Sequence, residues 1–125
     1  VSTVGIGTDI VSVTRIKAAY ARQPAFAKRI LTATELSEMG EIREPERFLA
    51  KRFAAKEACL KALGTGLAKG ITWQDMTVTH SPHGQPLIKL SGQAAQRAED
   101  IGVRAMHVSI SDEADYAVAF VVAES

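Results

Sequence analysis

The stretch from Glu46 to Gly66, ERFLAKRFAAKEACLKALGTG, constrains this chain most, because it reads as one long helix running into a glycine turn. Pro45 suits the first helical position, where a missing N–H costs nothing, and Gly64 and Gly66 can supply the left-handed stop. Phe48, Leu49, Phe53, Leu60 and Leu63 recur at helical intervals, so one stripe faces a core. The other side carries Arg47, Lys51, Arg52, Lys56, Glu57 and Lys61, and Glu57 is the only acid between Arg47 and Gly66. Ala54, Ala55, Ala58 and Ala62 leave the helix backbone approachable beside it. Glu57 and Lys61 stand four apart in the favourable order and suit an exposed ion pair worth about 0.3 kcal/mol. Glu57 takes on a chemical role only if a second carboxylate converges on it.

Asp9 is the candidate for that second carboxylate. Val4 to Val11, VGIGTDIV, alternates as a strand does, with Val4, Ile6, Thr8 and Ile10 on one face and Gly5, Gly7, Asp9 and Val11 on the other. Aspartate is depleted in strands, and two glycines on its face clear space for a ligand or another backbone. The alternative is that Asp9 caps the next helix, a task open equally to Ser12 or Thr14.

A helix follows from about Thr14 to Arg22, broken by Pro24, and a short one spans Phe26 to Leu31. Thr32 or Thr34 caps a third helix, TELSEM, closed by Gly40. A surface turn leads to Pro45. Beyond the long helix, Leu67 to Gly70 is a loop and Thr72 to Asp75 a single turn. Met76 to Thr79 and Pro86 to Leu90 read as strands around SPHG, and Ser91 caps a helix through Ile101. Arg104 to Ser111 alternates, with Met106, Val108 and Ile110 inward. The turn DEAD then leads to Tyr116–Ala123, whose near-continuous apolar run suits the centre of an antiparallel sheet. The expectation is an α+β fold: residues 1–125 as a single domain with a mainly antiparallel sheet wrapped on one long central helix.

A chain of 125 residues, 46% hydrophobic and 23% charged, suits an ordinary soluble globular protein. No apolar run reaches bilayer length, so no membrane is expected and the location is expected to be cytoplasmic. Cys59 is the only cysteine, and it reads as a small buried hydrophobe. A net charge of +1 argues against a dedicated nucleic-acid binder. The charges are nonetheless segregated: Arg15, Lys17, Arg22, Lys28 and Arg29 crowd one early segment, a patch able to steer an anionic partner.

Two carboxylates plus water and substrate phosphates is the usual coordination of Mg²⁺, so Asp9 and Glu57, brought together, would suit that ion. Lys61 would point to the same place, with Lys56 and Arg52 near enough to neutralise phosphate charge. Zinc is disfavoured, since His80, His83 and His107 lack a supporting cysteine and the first two flank a turn. This set favours a Mg²⁺-dependent reaction at a phosphate.

Val4-Gly5-Ile6-Gly7-Thr8-Asp9-Ile10, Arg47-Phe48-Leu49-Ala50-Lys51-Arg52-Phe53-Ala54-Ala55-Lys56-Glu57-Ala58 and Lys61-Ala62-Leu63-Gly64-Thr65-Gly66 resemble the signatures of the holo-acyl-carrier-protein synthases, which are 4′-phosphopantetheinyl transferases. Gly84-Gln85-Pro86 and His107-Val108-Ser109-Ile110-Ser111-Asp112 extend the resemblance over nearly the whole chain. It implies coenzyme A and apo-acyl carrier protein as substrates, Mg²⁺ as cofactor, adenosine 3′,5′-bisphosphate as by-product, a place in fatty acid biosynthesis and a homotrimer with shared sites. By position, it implies Asp9 and Glu57 as metal ligands and Lys61 on coenzyme A phosphate. Arg52, Gly64, Gly84, Pro86 and Ser111 are expected to line the coenzyme A groove. Asp112 stands where some members have histidine, so that imidazole's contact is not carried over. Glu57, directly or through a water, is expected to take the serine proton. Arg15, Arg22, Lys28 and Arg29 are expected to dock the acidic carrier. The competing readings are another Mg²⁺-dependent phosphotransferase, disfavoured by the lack of a Walker loop, and a non-catalytic basic-helix module gripping an acidic protein or nucleic acid, which leaves Asp9 and Glu57 without purpose.

Overall fold

A computed structural model describes all residues, 1–125, and shows the expected α+β architecture. Strand β1 (Thr3–Ser12) is followed by three short helices, α1 (Val13–Arg22), α2 (Ala25–Ile30) and α3 (Ala33–Met39), and then by the long helix α4 (Pro45–Leu63). A single 3₁₀ turn at Trp73–Asp75 leads into the hairpin β2 (Met76–His80) and β3 (Pro86–Leu90). Helix α5 (Gly92–Asp100) and the hairpin β4 (Ala105–Asp112) and β5 (Tyr116–Glu124) complete the chain. The sheet expected from the sequence is in fact two: a three-stranded sheet in the order β1-β5-β4, fully antiparallel, and the separate pair β2-β3. The apolar strand β5 does take the centre.

Helix α4 begins with Pro45 in its first turn and ends at Gly64, which adopts the left-handed conformation with φ 79°. It lies across the inner face of the three-stranded sheet, and small residues set how close it comes. Ala50, Ala54, Ala55, Ala58 and Ala62 of α4 are buried, as are Ala117, Ala119, Val121 and Ala123 of β5. Gly5 and Gly7 carry this to its limit. A Cβ on Gly7 would sit 1.9 Å from the Ala58 carbonyl oxygen, and one on Gly5 2.0 Å from that of Ala62. The space cleared by the glycines is therefore filled by the helix backbone. Leu49, Leu63, Ile30 and Leu31 close the core around this contact, each fully buried side chain stabilising the fold by about 2 kcal/mol.

The charged side of α4 is not the solvated face its sequence suggests. Lys56 is fully buried and Arg52 only 3% exposed. Lys56 Nζ donates to Glu35 Oε1 at 2.6 Å and to the Ile30 carbonyl at 2.7 Å, while Glu35 also accepts from the backbone N–H groups of Thr32 (2.9 Å) and Val78 (2.8 Å). Glu35 thus completes the capping box of α3 and ties that helix to α4 and β2. Burial pulls the Lys56 pKa down, and the Glu35 carboxylate opposes it. Cys59 is also buried, which pushes its thiol up to about 12 and leaves it an inert core residue.

The outer face of the three-stranded sheet is open. Ile6 (60% exposed), Ile10 (64%) and Phe120 (44%) lie on it, in register with Val122 and Val118. This apolar stripe runs along β1 and β5, with the exposed polar residues Thr8, His107, Ser109 and Ser111 on the same face.

Candidate functional site

Asp9 projects from the inner face of β1. Ser12, not Asp9, caps α1, accepting from the Arg15 backbone N–H at 3.2 Å. Gly5 lies over Ala62 and Gly7 over Ala58, so two residues along the strand match one turn of α4. The next step carries Asp9 toward the turn that ends at Glu57 and Ala58. Lys61 confirms the approach: its Nζ lies 3.3 Å from Asp9 Oδ1 and donates to the Thr8 carbonyl at 2.8 Å. The helical ion pair between Glu57 and Lys61 does not form. Glu57 Oε2 instead accepts from the Trp73 indole N–H at 2.8 Å.

This set of hard oxygen donors fits a divalent cation of the Mg²⁺ type. No group of three or more His, Cys, Asp and Glu side chains gathers anywhere in the molecule, so a cation held here would have two carboxylates and would take its remaining ligands from water and phosphate.

A second feature lies beyond the other edge of the sheet. A cleft of about 590 Å³ is lined by the cations Arg43, Arg47, Lys51 and Arg52, by the acids Glu38, Glu44 and Asp112, by His80, Gly84 and Pro86 of the β2-β3 hairpin, and by Ile110 of β4. Arg52 stacks over Phe48 with its guanidinium 4.3 Å from the ring centre, and its Nε has no hydrogen-bond partner. Glu35 (3.7 Å) and Glu38 (3.6 Å) steady it as ion pairs. Burial lowers the Arg52 pKa, and these two carboxylates raise it. Asp112 reaches Arg47 at 3.2 Å and Lys51 at 3.9 Å, and Glu44 reaches Arg47 at 3.7 Å, so with Glu38 three carboxylates of the lining already balance most of the cations. Burial and the nearby Arg52 charge hold the His80 imidazole below its ordinary value. The cleft therefore meets an anion with arginine and lysine charge and with a histidine that is neutral at pH 7.

The residues expected to act together fall into two groups. Asp9 and Lys61 meet on the β1 side of the sheet, with Glu57 one helical turn before Lys61. Arg52, Gly84 and Pro86 line the cleft on the β4 side, and β1 and β4 are opposite edges. Gly64 belongs to neither, being the C-cap of α4 near Arg97. Ser111 pairs with Val118 on the open outer face, while its neighbour Asp112 lines the cleft. Lys56, expected beside the phosphate, is instead sealed in the core with Glu35. Arg15, Arg22, Lys28 and Arg29 are all exposed on α1 and α2 and form no ion pair. Four contributors were given no place in the site by sequence reasoning. Arg47 and Lys51, spaced i and i+4, were a readable signal for one cationic face. His80 and Trp73 gave none, because their partners lie far away in the chain.

A carboxylate held by a lysine with Glu57 one helical turn away, and a cleft of arginine and lysine at the other sheet edge, are equipment for chemistry at phosphate. The chain belongs to the 4′-phosphopantetheinyl transferase superfamily, whose family model matches residues 5–121. It is 54% identical over 123 residues to the holo-acyl-carrier-protein synthase of Hydrogenovibrio crunogenus, covering 98% of this chain and 97% of that one. Among solved structures, the holo-acyl-carrier-protein synthase of Neisseria meningitidis superposes with a TM-score of 0.93 at 42% identity, covering 99% of this chain and 100% of that one. The Helicobacter pylori synthase in complex with coenzyme A superposes with a TM-score of 0.82 at 34% identity, covering 95% and 99%. The expectation of a phosphopantetheinyl transferase, drawn from the glycine-aspartate strand and the long helix, holds.

Proposed function

We propose that this chain is a cytoplasmic enzyme of fatty acid biosynthesis that transfers the 4′-phosphopantetheine arm of coenzyme A to a serine of apo-acyl carrier protein, with Mg²⁺ held by Asp9 and Glu57. The observation that carries the reading is the meeting of Asp9 with Lys61, one helical turn beyond Glu57, where two glycines let β1 press onto α4. The relative with coenzyme A bound supports the donor. Between the carboxylates, Mg²⁺ would offset charge on the pyrophosphate and the departing bisphosphate. The serine Oγ attacks the phosphorus that carries the pantetheine arm, and the bond to adenosine 3′,5′-bisphosphate breaks, the bisphosphate keeping the electron pair. Glu57 takes the serine proton, and Lys61 stabilises charge on the transferring phosphate.

The cationic cleft would hold the nucleotide end of coenzyme A. Because it opens at the opposite edge from the carboxylates, and the outer sheet face carries an uncovered apolar stripe, the two halves combine when copies associate. A homotrimer satisfies this, each neighbour supplying its cleft to the next copy's carboxylates. The unpaired cations of α1 and α2 would steer the acidic carrier, since α1 begins four residues after Asp9.

The test is the intact mass of an apo-acyl carrier protein after incubation with this protein and coenzyme A. A gain of one phosphopantetheine arm with Mg²⁺, abolished by chelator, is expected. No gain on carriers that an established transferase does modify would overturn the reading.

A further inference from the structure

Trp73 is the only tryptophan in the chain, and its indole N–H is spent on one atom. It donates to Glu57 Oε2 at 2.8 Å, while Glu57 Oε1 makes no hydrogen bond. The ring has little freedom. It packs against Phe53 with centroids 5.9 Å apart, and Phe53 in turn packs against Phe26 at 6.1 Å. The 3₁₀ turn that carries it is closed by a Thr72–Asp75 capping box. The next residue, Gln74, donates to the carbonyls of Lys28 and Leu31, tying the turn to α2.

We infer that Trp73 is a positioning residue for the cation site: its N–H fixes Glu57 in one rotamer and leaves Oε1 to face the ion. The inference rests on the reading of Asp9 and Glu57 as cation ligands and adds a residue that touches neither substrate nor metal. A glutamate on a helix surface samples several rotamers, and ordering it on binding costs side-chain entropy. The indole has already selected one, so that cost is met in the free protein. A neutral N–H donor also adds no positive charge beside the carboxylate. An ammonium at the same place would compete with the incoming cation, as Lys61 does at Asp9. Outer partners of this kind typically contribute 10- to 100-fold to metal affinity.

Trp73→Phe keeps a six-membered ring against Phe53 and removes the N–H. Mn²⁺, which favours the same oxygen donors as Mg²⁺, allows binding to be counted directly by the paramagnetic resonance of the free ion. The wild-type protein is expected to bind Mn²⁺ with saturable quenching of its single indole emission, and Trp73→Phe to bind it about tenfold more weakly. Equal affinity in a folded Trp73→Phe protein would overturn the inference and leave the carboxylate site standing. So would Mn²⁺ binding by the wild type that leaves the indole emission unchanged, a result that needs no variant to fold. No Mn²⁺ binding by the wild type, with coenzyme A present, would overturn the carboxylate reading and this inference together.

Discussion

At the scale of single residues, the position of Asp9 is set by what Gly5 and Gly7 lack. Aspartate two residues beyond Gly7 reaches the α4 side chains only because the strand and helix backbones touch. Gly7→Ala places a methyl group against the Ala58 carbonyl, a contact between two backbones that neither can relieve by a rotamer change. The expected loss of stability is about 3 kcal/mol, read from the urea unfolding midpoint, with Asp9 displaced from Lys61. A Gly7→Ala protein as stable as the parent would contradict the account of the close approach. This feature was legible in part. The sequence showed two glycines and an aspartate on one strand face and a helix lined with alanine, but either a ligand or a backbone could have filled the space.

At the scale of elements, α4 was readable from end to end, because Pro45 and Gly64 mark its ends by local backbone chemistry. Its buried cations were not. A periodicity argument assigns every charge to water, and the Glu35 carboxylate that holds Lys56 in the core is supplied by another helix. The interior position of β5 was legible because it is apolar on both faces, whereas the exposure of Ile6 and Ile10 was not, since only packing decides which face of β1 meets the helix. Helices α1 and α2 present the opposite case to α4. Their cations remain in solvent and form no ion pair, so under the proposed docking role they would act on encounter more than on the bound state. Reversing charge at Arg15 and Arg22 together is expected to slow association with an acidic carrier about tenfold at low salt, with the difference shrinking as salt rises. Stopped-flow association rates check this, and unchanged rates at low salt would contradict the docking role.

At the scale of the whole molecule, the proposed function makes the carboxylate set and the cationic cleft two halves of one site, joined only when copies associate through the open sheet face. Sequence motifs could name residues of both halves without revealing that one chain keeps them apart. That separation follows from strand order, with β1 and β4 at opposite edges, and strand order is a property of the assembled sheet. The most direct measurement is transfer activity in mixed oligomers. A variant with Glu57→Gln, lacking its base and cation ligand, is co-expressed with one carrying Arg47→Ala and Arg52→Ala, lacking the cleft cations. Each alone is expected to be inactive, and the mixture to regain transfer, because some interfaces pair an intact carboxylate set with an intact cleft. Mixed oligomers, verified by native mass spectrometry, that remain as inactive as their parents would contradict the shared site and return both halves to a single chain.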